Sequence, residues 1–561
     1  MSGVEEKTRP RGLKPEECEA ANGTAEAVPL RKLFLQPGPE RRWWLAGIAI
    51  LIVAAGLRFT YLEQKPMHND EGVNGNFTTQ LFREGYYRYD PENYHGPSLY
   101  YLALITTKFN ALLFGKAGLS TVALRIVPAI FGMGILWLIL QLRRYLGNYG
   151  ALGAAVLVAI SPGAVYFSRY FIHEIPFVFF TLAIVVAILR YYETTHAVYL
   201  MLASASAALL VATKETSVIS LAVLALACGC TEIYLRGRKW LESNESTASA
   251  RKSRVRAARG DDHIEDSRRE GLLARFGGRG KLATWLVLAG ALFLAIHILL
   301  YSSFFTNFPK GIHDSVGTYP LWLKRSGDDS LHYLYTYLQW MWDEEMPSLL
   351  LGTAGIGWAL YRGNNRFALF AAFWAMGIFS AYSLITYKTP WLTLNISIPF
   401  AIMCGYLVQE VYDRARQSRR QRVKVALIGA AAAVAAASLY QAIDISFFRY
   451  DDDSVDYVYA HTTRQIFPLL DKINEVVARS GKGTKTGIMI TAPDYWPLPW
   501  YLRDYPNAGY WGKVVPPTEE AMIIGEDSQE AELRQTLGDK YERAGSYELR
   551  PGAMLVVYVR K

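Results

Sequence analysis

Eleven apolar runs between residues 43 and 446 decide the solvent in which this chain folds. A helix that crosses a bilayer needs about 20 mostly apolar residues. The runs that qualify are 43–62, 120–142, 149–168, 175–192, 196–213, 217–235, 282–303, 346–361, 367–386, 391–411 and 425–446. Lipid offers no partner to a backbone amide, so each run is predicted to be a helix that satisfies its own backbone. Polar segments dilute them: 51% of the residues are hydrophobic, yet mean hydropathy is only +0.09. The net charge of +9 does not point to nucleic acid, because Lys and Arg gather in the segments between apolar runs, the pattern that orients membrane proteins.

Charge then assigns a side to each segment. Residues 1–42 are rich in Pro, Glu and Gly and lack the apolar core of a cleavable signal, so they read as a disordered cytoplasmic tail. The basic segments 236–281 and 412–424 are expected in the cytoplasm too. Parity settles 98–114, SLYYLALITTKFNALLF. Six crossings before the basic loop return the chain to the cytoplasm and a seventh would not, so this segment is expected to lie along the outer surface. On this count 63–119, 169–174, 214–216, 304–345, 387–390 and everything from 447 face outwards.

From Phe447 the composition changes. Short β-rich runs at 487–491, 521–525 and 553–559 alternate with helical patterns at 463–479 and 529–543, which predicts a small extracytoplasmic α/β domain over 447–561. Its WPLPWYL stretch, Trp496 to Leu502, suits contact with a ligand or the membrane surface, but local packing is the expectation. Three of the four cysteines, Cys228, Cys230 and Cys404, lie in apolar runs and Cys18 lies in the tail, so neither a disulfide framework nor a zinc motif is implied.

The chemistry is expected in residues 63–97, EQKPMHNDEGVNGNFTTQLFREGYYRYDPENYHGP, just beyond the first crossing. Asp70 and Glu71 stand together there, and other ionisable groups recur at the outer ends of crossings: Arg125, Arg169, Glu174, Lys214, Glu215 and Lys388. Each has a plain structural reading as a snorkelling cation, a helix cap or an interfacial anchor. Asp70 is well placed to cap a helix over 72–83. Their convergence on one face suits transfer from a phosphate leaving group, with a carboxylate accepting the proton of an attacking hydroxyl and cations neutralising the departing phosphate. Nucleotides are scarce outside the cytoplasm, so the donor is expected to be carried by a lipid. His68, Asp70, Glu71 and His95 share one loop, which leaves a divalent cation conceivable, but no tight ligand spacing supports one and no cofactor is expected. The outer loop 304–345 is dense in Tyr and Trp, a surface for a sugar or for the interface, and the acidic run Asp343, Glu344 and Glu345 is accounted for by helix N-terminal charge.

Residues 58–102, together with ALRIVPAIFG (123–132), SPGAVYFSRYFIHE (161–174) and ATKETS (212–217), resemble the GT-C membrane glycosyltransferases, in particular the protein O-mannosyltransferases and the lipid A aminoarabinose transferase. YKTPWL (387–392), HYLYTYLQWMWDEEMP (332–347) and WPLPWYLRD (496–504) resemble the archaeal and bacterial flippase-activity-associated family of that superfamily. The resemblance covers most of 43–561. It implies a polytopic α-helical membrane protein, GT-C-like with about 11 transmembrane helices, that moves a sugar from a polyprenyl-phosphate donor to an acceptor on a glycan, lipid or protein, with inversion. Position by position it implies Asp70 as base with Glu71 beside it, Glu174 as the second outer carboxylate, and Arg169, Lys388, Arg125 and Lys214 at the donor phosphate. His68, His95, His332 and Tyr387 would belong to the substrate loops. The usual His-Pro-Pro element reads His95-Gly96-Pro97 here, a looser turn. The family label also admits a transporter or a non-catalytic accessory for lipid-linked sugars. A transporter is expected to place polar groups at the bilayer midplane, whereas here they sit at the outer ends.

Overall fold

The computed structural model describes residues 39–92, 95–250, 276–325 and 333–561. Residues 1–38 of the expected tail 1–42, most of the basic loop and His332 lie outside the described residues, whereas 39–42, expected in the tail, begin the first helix. The first part is helical: α1 (Pro39–Phe59), α2 (Asn69–Glu84), α3 (Ser98–Phe114), α4 (Thr121–Gln141), α5 (Asn148–Ala159), α6 (Pro162–Phe167), α7 (Glu174–Thr194), α8 (Ala197–Val211) and α9 (Ser217–Ala250). There follow α10 (Gly278–Tyr301), α11 (Lys310–Arg325), α12 (Thr336–Glu344), α13 (Met346–Arg362), α14 (Arg366–Leu384), α15 (Thr393–Gln417) and α16 (Gln421–Ile443).

Eight of the described helices, α1, α4, α7, α9, α10, α14, α15 and α16, are long and apolar enough to cross a membrane. The other three expected crossings take shorter forms. The run 149–168 breaks at Ser161-Pro162 into α5 and α6, 196–213 becomes the 15-residue α8, and 346–361 becomes the 17-residue α13. At about 1.5 Å per residue none of these reaches the roughly 30 Å of a hydrocarbon core. All three pack among the long helices: α5 and α13 against α15, and α8 between α7 and α10. The segment 98–114 is one helix, α3, packed on α2 and α4 with Ile105, Phe109, Leu112 and Leu113 exposed. An exposed apolar face with Lys108 among it is what an interfacial helix carries.

Segments expected on one face of the membrane meet at one end of the helices. At one end Arg144 pairs with Glu193 at 3.1 Å, Arg190 with Gln141 at 2.9 Å, Arg366 with Glu232, and Arg238 with the Arg362 carbonyl. These are segments expected to share the cytoplasmic face. At the opposite end the segments expected outside converge on a single cavity.

The C-terminal domain is a five-stranded sheet with order β2-β1-β3-β5-β4, formed by β1 (Ile488–Ile490), β2 (Ala508–Tyr510), β3 (Met522–Glu526), β4 (Tyr541–Arg550) and β5 (Ala553–Arg560). β1 runs parallel to β2 and β3, while β5 is antiparallel to both β3 and β4. Both faces are covered, so β3 and β5 are nearly unbroken apolar runs rather than alternating ones. On one face α17 (Ile466–Ser480) packs Ile466, Leu469, Ile473 and Val476 on Ile490, Ile524 and Val557; on the other, Leu533 and Leu537 of α18 (Glu530–Leu537) meet Ile523 and Val556. The expected helix over 529–543 is therefore too long: Gly538 ends it, and from Tyr541 the chain is a charged edge strand. The WPLPWYL stretch, expected to pack locally, places Leu498 and Leu502 in the domain core but Trp500 in the core around α2. It docks on the back of α2, where a Cβ on Gly72 would stand 2.6 Å from Pro497 and one on Gly75 2.6 Å from Trp500.

Candidate functional site

Helix α2 presents Asp70 because His68 and Glu71 do the capping. The His68 Nδ1 accepts the Asp70 amide at 3.0 Å and its Nε2 meets the Tyr459 carbonyl at 3.0 Å. The first bond needs a lone pair and the second a proton, so the ring is neutral. Burial pushes its pKa down in the same sense, against the pull of Asp70. Glu71 Oε2 accepts the His68 amide at 3.0 Å and closes a capping box. Asp70 is not the cap that the sequence suggested, and its carboxylate remains for the cavity.

Glu71 is fully buried in a bidentate pair with Arg125, at 2.7 and 2.6 Å. It also takes the Phe171 amide at 2.8 Å. Burial works to raise its carboxyl, but Arg125 outweighs it and holds the group below the usual carboxylate range. Arg125 donates besides to the carbonyls of Leu62, Lys65 and Pro66 at 2.6, 2.8 and 3.0 Å. All five guanidinium protons are thereby engaged. The pair bolts the 62–71 segment to α4.

Three of the four expected phosphate contacts stand outside the cavity lining and bond backbone carbonyls. Arg125 has no proton left. Arg169 donates to the carbonyls of Leu57, Thr60 and Tyr61 at 3.1, 2.5 and 3.1 Å, closing the C-terminal end of α1. Lys388 is buried and bonds the Ile385 carbonyl. None of the three lines the cavity, and neither Glu71 nor His68 does. Lys214 does.

The cavity measures about 520 Å³ and is walled by six parts of the fold. These are α2 with Asp70 and Asn74, the loop at His95, residues 172–174, residues 214–216, α11 with Thr318 and Trp322, and 382–392 with Tyr387 and Trp391. Lys214 Nζ sits 2.6 Å from Glu174 Oε1 with both groups buried, and His95 Nδ1 sits 2.9 Å from Glu215 Oε2. Burial works to raise Glu215, yet His95 and Lys214 hold it at about 2. The carboxylates of Glu174 and Glu215 are thus paired with basic groups. Asp70 has no ion-pair partner among the described residues and only Asn69 Nδ2, at 3.2 Å, beside it. A carboxylate without an ion-pair partner, lining the same cavity as Lys214 and His95, is an arrangement that accepts a proton from a bound hydroxyl.

Of the residues the sequence singled out, Asp70, Glu174, Lys214, His95 and Tyr387 line this one cavity. Sequence reading gave no site role to Glu215, although the residue adjoins Lys214, nor to His173, Thr216 or Tyr382. Nor did it single out Lys65, which is buried with its Nζ 2.9 Å from the Tyr166 hydroxyl and 3.5 Å above the Tyr170 ring. Among the described residues no group of three or more His, Cys, Asp or Glu is arranged to hold a metal ion.

Fold and cavity together define the class: a multi-pass membrane protein with the fold of the GT-C glycosyltransferases. ArnT from Cupriavidus metallidurans bound to undecaprenyl phosphate is similar over 92% of this chain and 98% of its own, with a TM-score of 0.60 and 14% identity. Its apo form gives 0.56 with 12% identity over 93% and 98%. The archaeal oligosaccharyltransferase AglB from Archaeoglobus fulgidus, in complex with an inhibitory peptide and a dolichol-phosphate, gives 0.52 with 15% identity over 93% of this chain and 75% of its own. Residues 95–245 match the family described as dolichyl-phosphate-mannose-protein mannosyltransferase. No curated protein sequence matches the chain.

Proposed function

We propose that the protein transfers one sugar from a polyprenyl-phosphate donor to an acceptor hydroxyl on the extracytoplasmic face, with inversion. The observation that carries this is Asp70: a cavity carboxylate with no cationic partner among the described residues, in a wall where Glu174 and Glu215 are each tied to a basic side chain. Asp70 takes the proton of the acceptor hydroxyl as that oxygen bonds the anomeric carbon. The bond from that carbon to the phosphate oxygen breaks, and the polyprenyl phosphate leaves with both electrons. Lys214 and His95 face the charge that builds on the phosphate. One displacement through an oxocarbenium-like transition state inverts the anomer.

The kinship in fold with proteins solved holding undecaprenyl phosphate or dolichol-phosphate supports the donor class. A hexose displaces about six waters of roughly 30 Å³ each, so the cavity of about 520 Å³ has room for a sugar ring, its phosphate and part of an acceptor. The test is transfer of radiolabelled sugar from polyprenyl-phosphate hexoses and pentoses in membranes containing the protein, with the product's anomeric configuration read by NMR. Transfer with an inverted anomer is the expected result. A retained anomer, or donor binding with no transfer across a broad acceptor panel, contradicts it, and the second outcome favours an accessory that only binds lipid-linked sugars.

A further inference from the structure

Three polar groups in the cavity wall are buried and have no hydrogen-bond partner among the described residues: His173 Nε2, Thr216 Oγ1 and the Tyr382 hydroxyl. The residues are 2%, 5% and 1% exposed, and they come from three separate parts of the chain: the turn before α7, the turn before α9 and the end of α14. Tyr382 lies beside Thr216 and Ser220, but none of these hydroxyls makes a hydrogen bond of normal geometry. Leaving a buried hydroxyl or imidazole nitrogen unpaired costs about 1–3 kcal/mol, so three together on one cavity wall are a feature to be explained.

Their chemistry is uniform. His173 is driven well below its ordinary pKa by burial, with His95 and Lys214 adding to the effect, so its ring is neutral. A neutral ring carries one donor and one acceptor nitrogen, so Nε2 offers one or the other according to its tautomer. The two hydroxyls both donate and accept. This part of the wall is therefore neutral and demands hydrogen bonds, whereas Lys214 is held by Glu174 and His95 by Glu215.

Resting on the transfer reading above, we infer that His173, Thr216 and Tyr382 bind the hydroxyls of the donor sugar, and that they make the site specific for a neutral sugar bearing hydroxyls at the positions they face. A site with buried polar groups rejects an analogue that lacks the matching hydroxyl far more strongly than an apolar pocket rejects an extra one, because its own groups are then left unpaired. The same wall is closed to a bulky apolar substituent there.

The experiment is equilibrium binding to the purified full chain in nanodiscs. The probes are polyprenyl-phosphate mannose, glucose and galactose, each singly deoxygenated analogue, and plain polyprenyl phosphate. Tyr382→Phe and Thr216→Val each delete one hydroxyl with little change of shape, and thermal unfolding confirms that both fold. Each variant is expected to weaken the preferred hexosyl donor by about tenfold or more, and to leave plain polyprenyl phosphate unchanged. Each should also show no further loss for the one deoxy analogue that lacks its partner hydroxyl. The inference is overturned if both variants bind the hexosyl donor as the wild type does, if they weaken donor and plain polyprenyl phosphate equally, or if the wild type does not distinguish the two. Binding is read without turnover, so a protein that discriminates hydroxyls but transfers nothing sinks the transfer reading and keeps this one.

Discussion

Two adjacent carboxylates, Asp70 and Glu71, have opposite fates one residue apart. Glu71 is locked between Arg125 and two backbone amides, so Glu71→Gln leaves a buried guanidinium without its counter-charge. A loss of about 3–5 kcal/mol is expected, read as a lowered unfolding midpoint in detergent or as failure to recover folded protein. Asp70→Asn removes no cap and no ion pair, so it should fold normally while transfer falls by about 10²–10⁴. The sequence announced the pair but could not divide the labour. Arg125's acceptors lie at 62, 65, 66 and 71, and only the path of that turn decides that every proton is used. Arg169 and Lys388 were ambiguous for the same reason: a basic residue at a helix end serves a ligand or a carbonyl, and composition does not distinguish the two.

At the scale of elements, α2 is held from behind by the C-terminal domain. Pro497 and Trp500 press where only glycine fits, at Gly72 and Gly75, and the Tyr501 hydroxyl accepts the approach by bonding the Met67 amide at 2.9 Å. Gly72→Ala and Gly75→Ala should each destabilise by about 1–3 kcal/mol through overpacking and expose the linker near residues 450–460 to limited proteolysis. The long apolar helices were legible because their period and length leave few alternatives. The edge strand β4 was not, since Tyr541, Tyr547 and Leu549 are interleaved with charge that an edge tolerates and a helix tolerates equally. Neither was the break at Ser161-Pro162, where the Ser161 side chain caps α6 and turns one expected crossing into two short helices.

The whole molecule has a stability that should depend on pH through Glu344 and Glu345. Burial raises both carboxyls to about 7, against the hydrogen bonds from Gln441 to the first and from Ser161, Gly163 and Ser348 to the second. An acid whose folded pKa is raised holds its proton more tightly when folded. Its contribution is therefore whole below the unfolded value of 4.5 and is lost as the pH climbs through about 7. For buried Glu345 the swing is about 3 kcal/mol. The unfolding midpoint should fall between pH 5 and pH 8, and Glu345→Gln should flatten that fall. An unchanged slope in the variant would remove Glu345 from the account.

The central claim is that an unpaired Asp70 is the base for sugar transfer, and it is tested most directly by transfer from the preferred polyprenyl-phosphate donor, wild type against Asp70→Asn. Both proteins are checked by gel filtration and by donor affinity. The account predicts equal folding, donor affinity within a few-fold, and transfer reduced by at least about a hundredfold. Transfer at the wild-type rate by a well-folded Asp70→Asn protein would contradict it.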